Sequence, residues 1–191
     1  APPGADVCVA DALALPYRAA SCDAALCIAV LHHMSSVERR SALLAELLRL
    51  LVQGGRALVT VWATEQEDPK RTVLKWTQIH SMPGAEAVPY DGVSRGNVRD
   101  EPQAATNGSV GGADYFVPWH LPCHRAEAHQ ALQTDGQTVD EAKNSVVFQR
   151  YYHLFEREEL VSLVEALPGA RVVDCFHDKS NWCIIFERIA A

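Results

Sequence analysis

The sequence predicts an α/β fold, a parallel sheet that finishes in an antiparallel hairpin. Three observations predict it. Residues 22–33 form an apolar run with one acid near its start and two histidines at its end, the pattern of a parallel strand buried on both faces. An amphipathic helix and a second β-branched run follow directly, the order of a right-handed crossover. Near the end, residues 172–177 and 182–187 flank the turn Asp178-Lys179-Ser180-Asn181, which reads as an edge hairpin.

Residues 7–10 (Val7, Cys8, Val9 and Ala10) form a short strand candidate, and Asp11 falls just past its end. An acid there either accepts a hydrogen bond from a ligand amine or caps the next turn. After the central run, Ser35 at the N-cap and Glu38 three residues on form a capping box. The helix it starts runs to about residue 51, with Leu43, Leu44, Leu47, Leu48 and Leu51 on one face. Glu38, Arg39, Arg40, Glu46 and Arg49 mostly take the other. Gly54-Gly55 is the expected stop, and residues 56–63 read as the next strand.

Residues 64–113 read as a low-complexity insertion without enough apolar surface to offset ordering entropy. Within it, residues 72–79 are weakly helical. Residues 114–145 read as a substrate loop and linker carrying the aromatic cluster around Trp119 and His120. Residues 146–191 return to the domain. They hold an aromatic strand over 148–155, then a helix over 156–167 with Leu160, Leu163, Val164 and Leu167 on one face. Pro168-Gly169 stops that helix before the hairpin.

Composition bounds the function. The chain of 191 residues suits one domain, 48% hydrophobic and 21% charged. A net charge of −7 argues against non-specific nucleic-acid binding by the whole surface, not against a local basic patch. No run is long enough to span a bilayer. The six cysteines show no CxxC spacing, which suits reduced thiols and a cytoplasmic or nuclear setting. His120, Cys123, His124 and His129 match no common zinc spacing, so no metal is expected.

Several segments together resemble consecutive motifs of class I S-adenosylmethionine (SAM) methyltransferases. They are Asp11-Ala12-Leu13-Ala14-Leu15-Pro16, Cys22-Asp23-Ala24, Ile28-Ala29-Val30-Leu31-His32-His33, Glu38-Arg39-Arg40, Gly54-Gly55-Arg56-Ala57-Leu58 and Val61-Trp62-Ala63. Val117-Pro118-Trp119-His120, Arg150-Tyr151-Tyr152-His153 and Asn181-Trp182-Cys183 narrow the match. They resemble the tRNA methyltransferases that esterify carboxymethyluridine at the anticodon wobble position, a family that includes the methyltransferase domain of the AlkB-homologue tRNA hydroxylase. The resemblance implies a class I SAM-methyltransferase (Rossmann-like) sheet. One departure stands out. The Gly-rich loop and the second strand with its ribose-binding acid have no counterpart, so the expectation is a sheet lacking its first two strands, an amino-terminally truncated piece that is inactive and poorly folded alone.

The resemblance also implies roles. Asp11 would meet the adenine amino group, Ala12 and Leu13 would line that ring, and Ala29 and Val30 would lie near the methionine part of SAM. Arg150 would hold the substrate carboxylate, with Tyr152, His153 and His33 around it. Trp119, His120 and Trp182 would bind the substrate base. The implied partners are tRNA and a small zinc-binding activator subunit, docked on the strand at residues 7–10. Two other classes remain open: a non-catalytic methyltransferase-like binding module, and a small-molecule SAM methyltransferase.

Overall fold

A computed structural model describes residues 6–70, 72–79, 112–132 and 138–190. They form two four-stranded sheets. The first is made by β1 (Cys22–Ile28), β2 (Leu51–Trp62), β7 (Ala170–Asp178) and β8 (Asn181–Arg188), in the order β1-β2-β8-β7. β1 and β2 run parallel, and β8 is antiparallel to both β2 and β7. The expected parallel sheet with its closing hairpin is therefore present. β8 lies inside, against β2, and β7 is the edge.

Helices α1 (Val37–Leu50) and α3 (Arg157–Glu165) cover one face of this sheet. Leu43, Leu44 and Leu47 of α1 meet Leu160, Leu163 and Val164 of α3 over Cys27, Val59, Val61, Ile184 and Phe186, in one apolar core. The β1 strand departs from the expectation of burial on both faces. Cys27 is buried, but Leu26 is 71% exposed and Ile28 52% exposed. No described element covers the second face, so β1 alternates as a half-buried strand does. Residues 7–10 form no strand, and Val7 and Val9 are exposed. The segment pairs with no described strand, and without a ladder four apolar residues have nothing to hold them extended.

The start of α1 is one residue later than expected. Ser36 is the N-cap, and its side chain accepts from the Arg39 N–H. Gly54-Gly55 does not end the helix. α1 ends at Leu50, where Arg188 donates to the carbonyls of Arg49 and Leu51, and Ala20 and Ser21 donate to those of Arg49 and Leu50. With its last carbonyls satisfied from outside, the helix needs no glycine cap. The glycines instead form a bulge in β2: Cys22 pairs with Leu51, but Ala24 pairs with Arg56. Gly54 takes φ +79°, and a Cβ on Gly55 would sit 3.0 Å from the Asp23 carbonyl oxygen.

The second sheet is the main surprise of the fold. β3 (Thr77–Ile79), β4 (Ala113–Pro122), β5 (Thr138–Asp140) and β6 (Ser145–Leu154) form an antiparallel sheet in the order β3-β4-β6-β5, with α2 (Ala126–Leu132) packed on it. The span 114–145, expected as loop and linker, is thus a long strand, a short helix and a short strand. Residues 72–79, expected as weakly helical, are a 3₁₀ turn and a strand. Ten cross-strand pairs join β4 to β6, from Ala113–Leu154 to Pro122–Ser145. Such non-local pairing leaves no signature in local spacing. Most of the insertion, residues 80–111, lies outside the described residues. The two sheets meet where β2 and β6 end. Phe155 N–H donates to the Trp62 carbonyl at 2.8 Å, and Thr64 N–H to the Phe155 carbonyl at 3.0 Å.

Candidate active site

In open α/β sheets, ligands sit beyond the carboxyl ends of the parallel strands. Here those are the ends of β1 and β2. Just after β1, Ala29 takes φ +57°, unusual for a residue with a side chain, and its N–H donates to Thr60 on β2. The chain then turns into a short 3₁₀ helix of Leu31, His32 and His33. β2 ends at Trp62. The second sheet brings Tyr115 of β4 and Tyr152 of β6, which lie directly opposite each other in register.

These elements close an aromatic box. Tyr152 stacks on His32 at 5.0 Å between ring centres and meets His33 edge-on at 4.6 Å. Trp62 lies 6.0 Å from Tyr152 and 5.0 Å from Trp76. Trp76 in turn meets Tyr152 at 5.6 Å and Tyr115 at 5.9 Å. Separations of this size and these tilts are those that aromatic pairs favour. His33 Nδ1 lies 3.1 Å from the Tyr151 carbonyl. A carbonyl only accepts, so Nδ1 carries the proton and Nε2 is left to meet a ligand. His32 is fully buried, and burial, with repulsion from His33 and His153, pushes its pKa down to about 3, so it is neutral. Its Nδ1 has no hydrogen-bond partner among the described residues. The Tyr115 and Tyr152 hydroxyls have no protein partner among those residues either, and burial raises the Tyr115 pKa, so that phenol stays a donor.

Behind the box, on the other face of β4 and β6, lies a buried polar cluster. His153 Nδ1 is 2.6 Å from Asp114 Oδ1, and its Nε2 is 2.9 Å from both oxygens of Glu159. Arg40 of α1 reaches across to donate to Glu159 at 3.3 Å and to the Tyr151 hydroxyl at 2.9 Å. Tyr151 donates to Asp114 at 2.5 Å. Burial opposes the charge on His153, but the bonds to Asp114 and Glu159 outweigh it and raise the pKa. The same partners hold both carboxyls below their usual range, against burial. Two carboxylates thus face an imidazolium and a guanidinium, and the cluster ties α1 and α3 to the second sheet. Gly112 N–H donates to Glu159 at 3.0 Å, and a Cβ at Gly112 would collide with the Leu154 carbonyl.

The expected site residues divide accordingly. His33 and Tyr152 meet in the box. His153 does not join them. With both nitrogens engaged and 5% exposure, it positions β6 rather than touching a ligand. Arg150 does not stand free beside Tyr152, because its guanidinium lies 4.3 Å over the ring of Trp119 on the neighbouring strand β4. His120 turns to Asp140 at 3.2 Å and Lys143 at 3.0 Å, on the face opposite Trp119. Trp182 pairs with His177, and its indole donates to Glu65. That places it on the hairpin and outside the box. Asp11 accepts from the Leu13 N–H at 2.9 Å, the turn-capping alternative, while its second oxygen has no partner among the described residues. Ala12 and Leu13 are partly buried against the first core, and Ala29 and Val30 are exposed at the end of β1.

Trp62, Trp76, Tyr115, Arg40, Asp114 and Glu159 were not anticipated as a site. Arg40 had a signal: it precedes Leu43, Leu44 and Leu47 by three, four and seven residues, which puts it on the apolar face of α1. Among the described residues, no three His, Cys, Asp or Glu side chains converge as a metal site.

Comparison with known proteins agrees with this geometry. A family described as "Methyltransferase domain" matches residues 1–59. A SAM-dependent methyltransferase from Clostridium acetobutylicum superposes with TM-score 0.52 at 8% identity, over 96% of this chain and 64% of its own. The fold is that of the SAM-dependent methyltransferases. The tRNA (carboxymethyluridine(34)-5-O)-methyltransferase of Arabidopsis thaliana is 34% identical over 98% of this chain and 63% of its own length. The Xenopus tropicalis protein of that name, alkbh8, is 36% identical over 95% of this chain and 28% of its own. The chain is similar to these tRNA methyltransferases over nearly its whole length, and it spans less than two thirds of either relative.

Proposed function

We propose that the protein carrying this chain methylates the carboxylate of 5-carboxymethyluridine at the wobble position of tRNA, using SAM. The observation that supports it most directly is the aromatic box at the ends of β1 and β2. It offers flat apolar walls for a base and two phenols, unpartnered among the described residues, for an acid. Single-stranded RNA readers bind splayed bases between such rings.

The residues present fit the adenine end of SAM. Asp11 keeps an oxygen for the amino group, Ala12 and Leu13 back the ring, and Ala29 and Val30 lie open at the strand end. SAM supplies an electrophilic methyl on a sulfonium. The substrate carboxylate has a pKa of about 4, so it is already ionised at neutral pH and needs no general base. The protein's work is to orient it and exclude water. Tyr152 and Tyr115 donate to the carboxylate, and His33 Nε2 accepts from the uracil N–H. Trp62 and Trp76 wall off solvent. His153 and Arg40 hold β6, and so Tyr152, in place.

All six cysteines are free, in keeping with a reducing cytoplasmic or nuclear setting. A zinc-binding activator subunit remains part of the proposal. Because residues 7–10 form no strand, its dock moves to β1, whose outer edge pairs with no described strand.

The test is methyl transfer by the protein that carries this chain, on anticodon stem-loop RNA with carboxymethyluridine or plain uridine at the wobble position. Expected is a base-labile methyl ester on the carboxymethyl RNA alone, with Y152F lowering its rate. Label that resists mild base, or equal label on uridine, would overturn the reading.

A further inference from the structure

The face of the second sheet that carries the box extends beyond it. Side chains alternate along strands, so Tyr152, Arg150 and Phe148 of β6 share a face with Tyr115, Val117 and Trp119 of β4. At its far end Trp119 is 40% exposed, lies against Phe148 at 5.7 Å, and carries the Arg150 guanidinium on its ring. Beside it opens a hollow of about 520 Å³, whose lining includes Trp119, Phe148, His120, Arg125 and Glu127. Neither Arg150 nor Arg125 makes an ion pair among the described residues, although the chain is acidic overall. A half-open indole, a planar cation on its face and a second unpaired guanidinium at the rim are out of place on a plain solvated surface. Together they match a nucleotide, with a base to stack and a phosphate to neutralise.

We infer that Trp119, Arg150 and Arg125 form a second subsite, which stacks a nucleobase neighbouring the methylated uridine and holds its phosphate. Phe148 lies about 13 Å along β6 from Tyr152 at roughly 3.3 Å per residue. That exceeds the 3.4 Å step of one stacked nucleotide. The two subsites therefore take different nucleotides of one splayed strand. This rests on the reading of an RNA substrate, and it gives Arg150 the work of a strand clamp rather than of a carboxylate ligand.

The experiment is a fluorescence titration of the protein that carries this chain and of its W119A and R150K variants. The probes are seven-nucleotide single-stranded RNAs with carboxymethyluridine or plain uridine at the centre. A third set removes the flanking bases, leaving abasic sugars. W119A should weaken binding of the intact RNAs by about 5- to 150-fold. R150K keeps the charge but loses the planar stack, and should weaken binding less than W119A. On abasic RNA neither change should cost more, because the stacked base is already gone. Unchanged affinity in W119A, or an equal loss on abasic RNA, overturns the subsite. Failure of the substrate reading looks different: carboxymethyluridine and uridine RNAs would bind alike while W119A still weakened both.

Discussion

The two sheets of this molecule are held together by different physics. The first rests on an apolar core, in which the leucines of α1 and α3 cover Val59, Val61, Ile184 and Phe186. The second buries little of that kind; its own cluster is Leu121, Ala128 and Val146 with a few partly buried neighbours. It is fixed to the first sheet by Arg40, Asp114, His153 and Glu159 and by the rings of the box. Apolar cores are non-directional and tolerate variation, whereas a buried charge cluster sets one geometry and punishes any missing member. The function proposed here needs the second kind of join, because Tyr152 must meet His33 in a fixed place.

The difference can be broken at its strongest points first. R40A should cost about 3–5 kcal/mol, because it removes one of the two cations that Asp114 and Glu159 share and leaves a largely buried cluster short of positive charge. L44A should cost about 2–5 kcal/mol through a cavity in the first core. The magnitudes overlap, but hydrogen exchange should separate them. R40A should open amides of β4 and β6 while β1 and β2 stay protected, and L44A should open the first sheet. Equal opening in both variants would mean that the two regions unfold as one.

G112A comes next. Its Cβ would strike the Leu154 carbonyl and crowd His153, so a loss of about 1–3 kcal/mol is expected in a denaturant titration.

pH sharpens the comparison further. The raised pKa of His153 makes its contribution full below its ordinary value of 6.5 and lost as pH rises through the folded value. The lowered pKa values of Asp114 and Glu159 make theirs full above the usual carboxylate range and lost as pH falls. Raising pH from about 6 to about 9 should therefore loosen the second sheet first, and H153N should flatten that arm. His32 acts in the opposite sense. Held neutral down to about 3, it costs stability as pH falls below 6.5, because the unfolded chain takes up the proton. H32F should soften the acid arm, and thermal melts across pH would show both effects.

The smallest effect belongs to W119A. As a half-exposed residue away from the cluster of Arg40, Asp114, His153 and Glu159, it should change stability by no more than about 0.5 kcal/mol, whatever it does to RNA binding.

Much of the first sheet was legible in the sequence. The leucine spacing of α1 and α3, the β-branched run of β2 and the turn residues between β7 and β8 each act over a few neighbours, which is the range that periodicity reads. Errors came where a partner decided the outcome. Residues 7–10 have the composition of a strand but nothing to pair with. β1 looks buried on both sides but is covered on one. Gly54-Gly55 looks like a helix stop, yet Arg188 and the Ala20 and Ser21 amides had already capped α1. Of the residues expected at the site, the structure brings His33 and Tyr152 together; Arg40 reads as a surface charge, although its spacing places it with the leucines.

By itself, then, the sequence determined the α/β class, the closing hairpin and the motifs that mark the family, because these rest on local spacing and residue identity. Only the tertiary structure decided that residues 113–154 build a second sheet, that His153 and Arg40 form its clamp, and that Arg150 belongs to Trp119. Each of those joins groups far apart in the chain, such as Arg40 with Glu159 and Asp114 with His153, and their energy exists only once the backbone has brought both partners out of water.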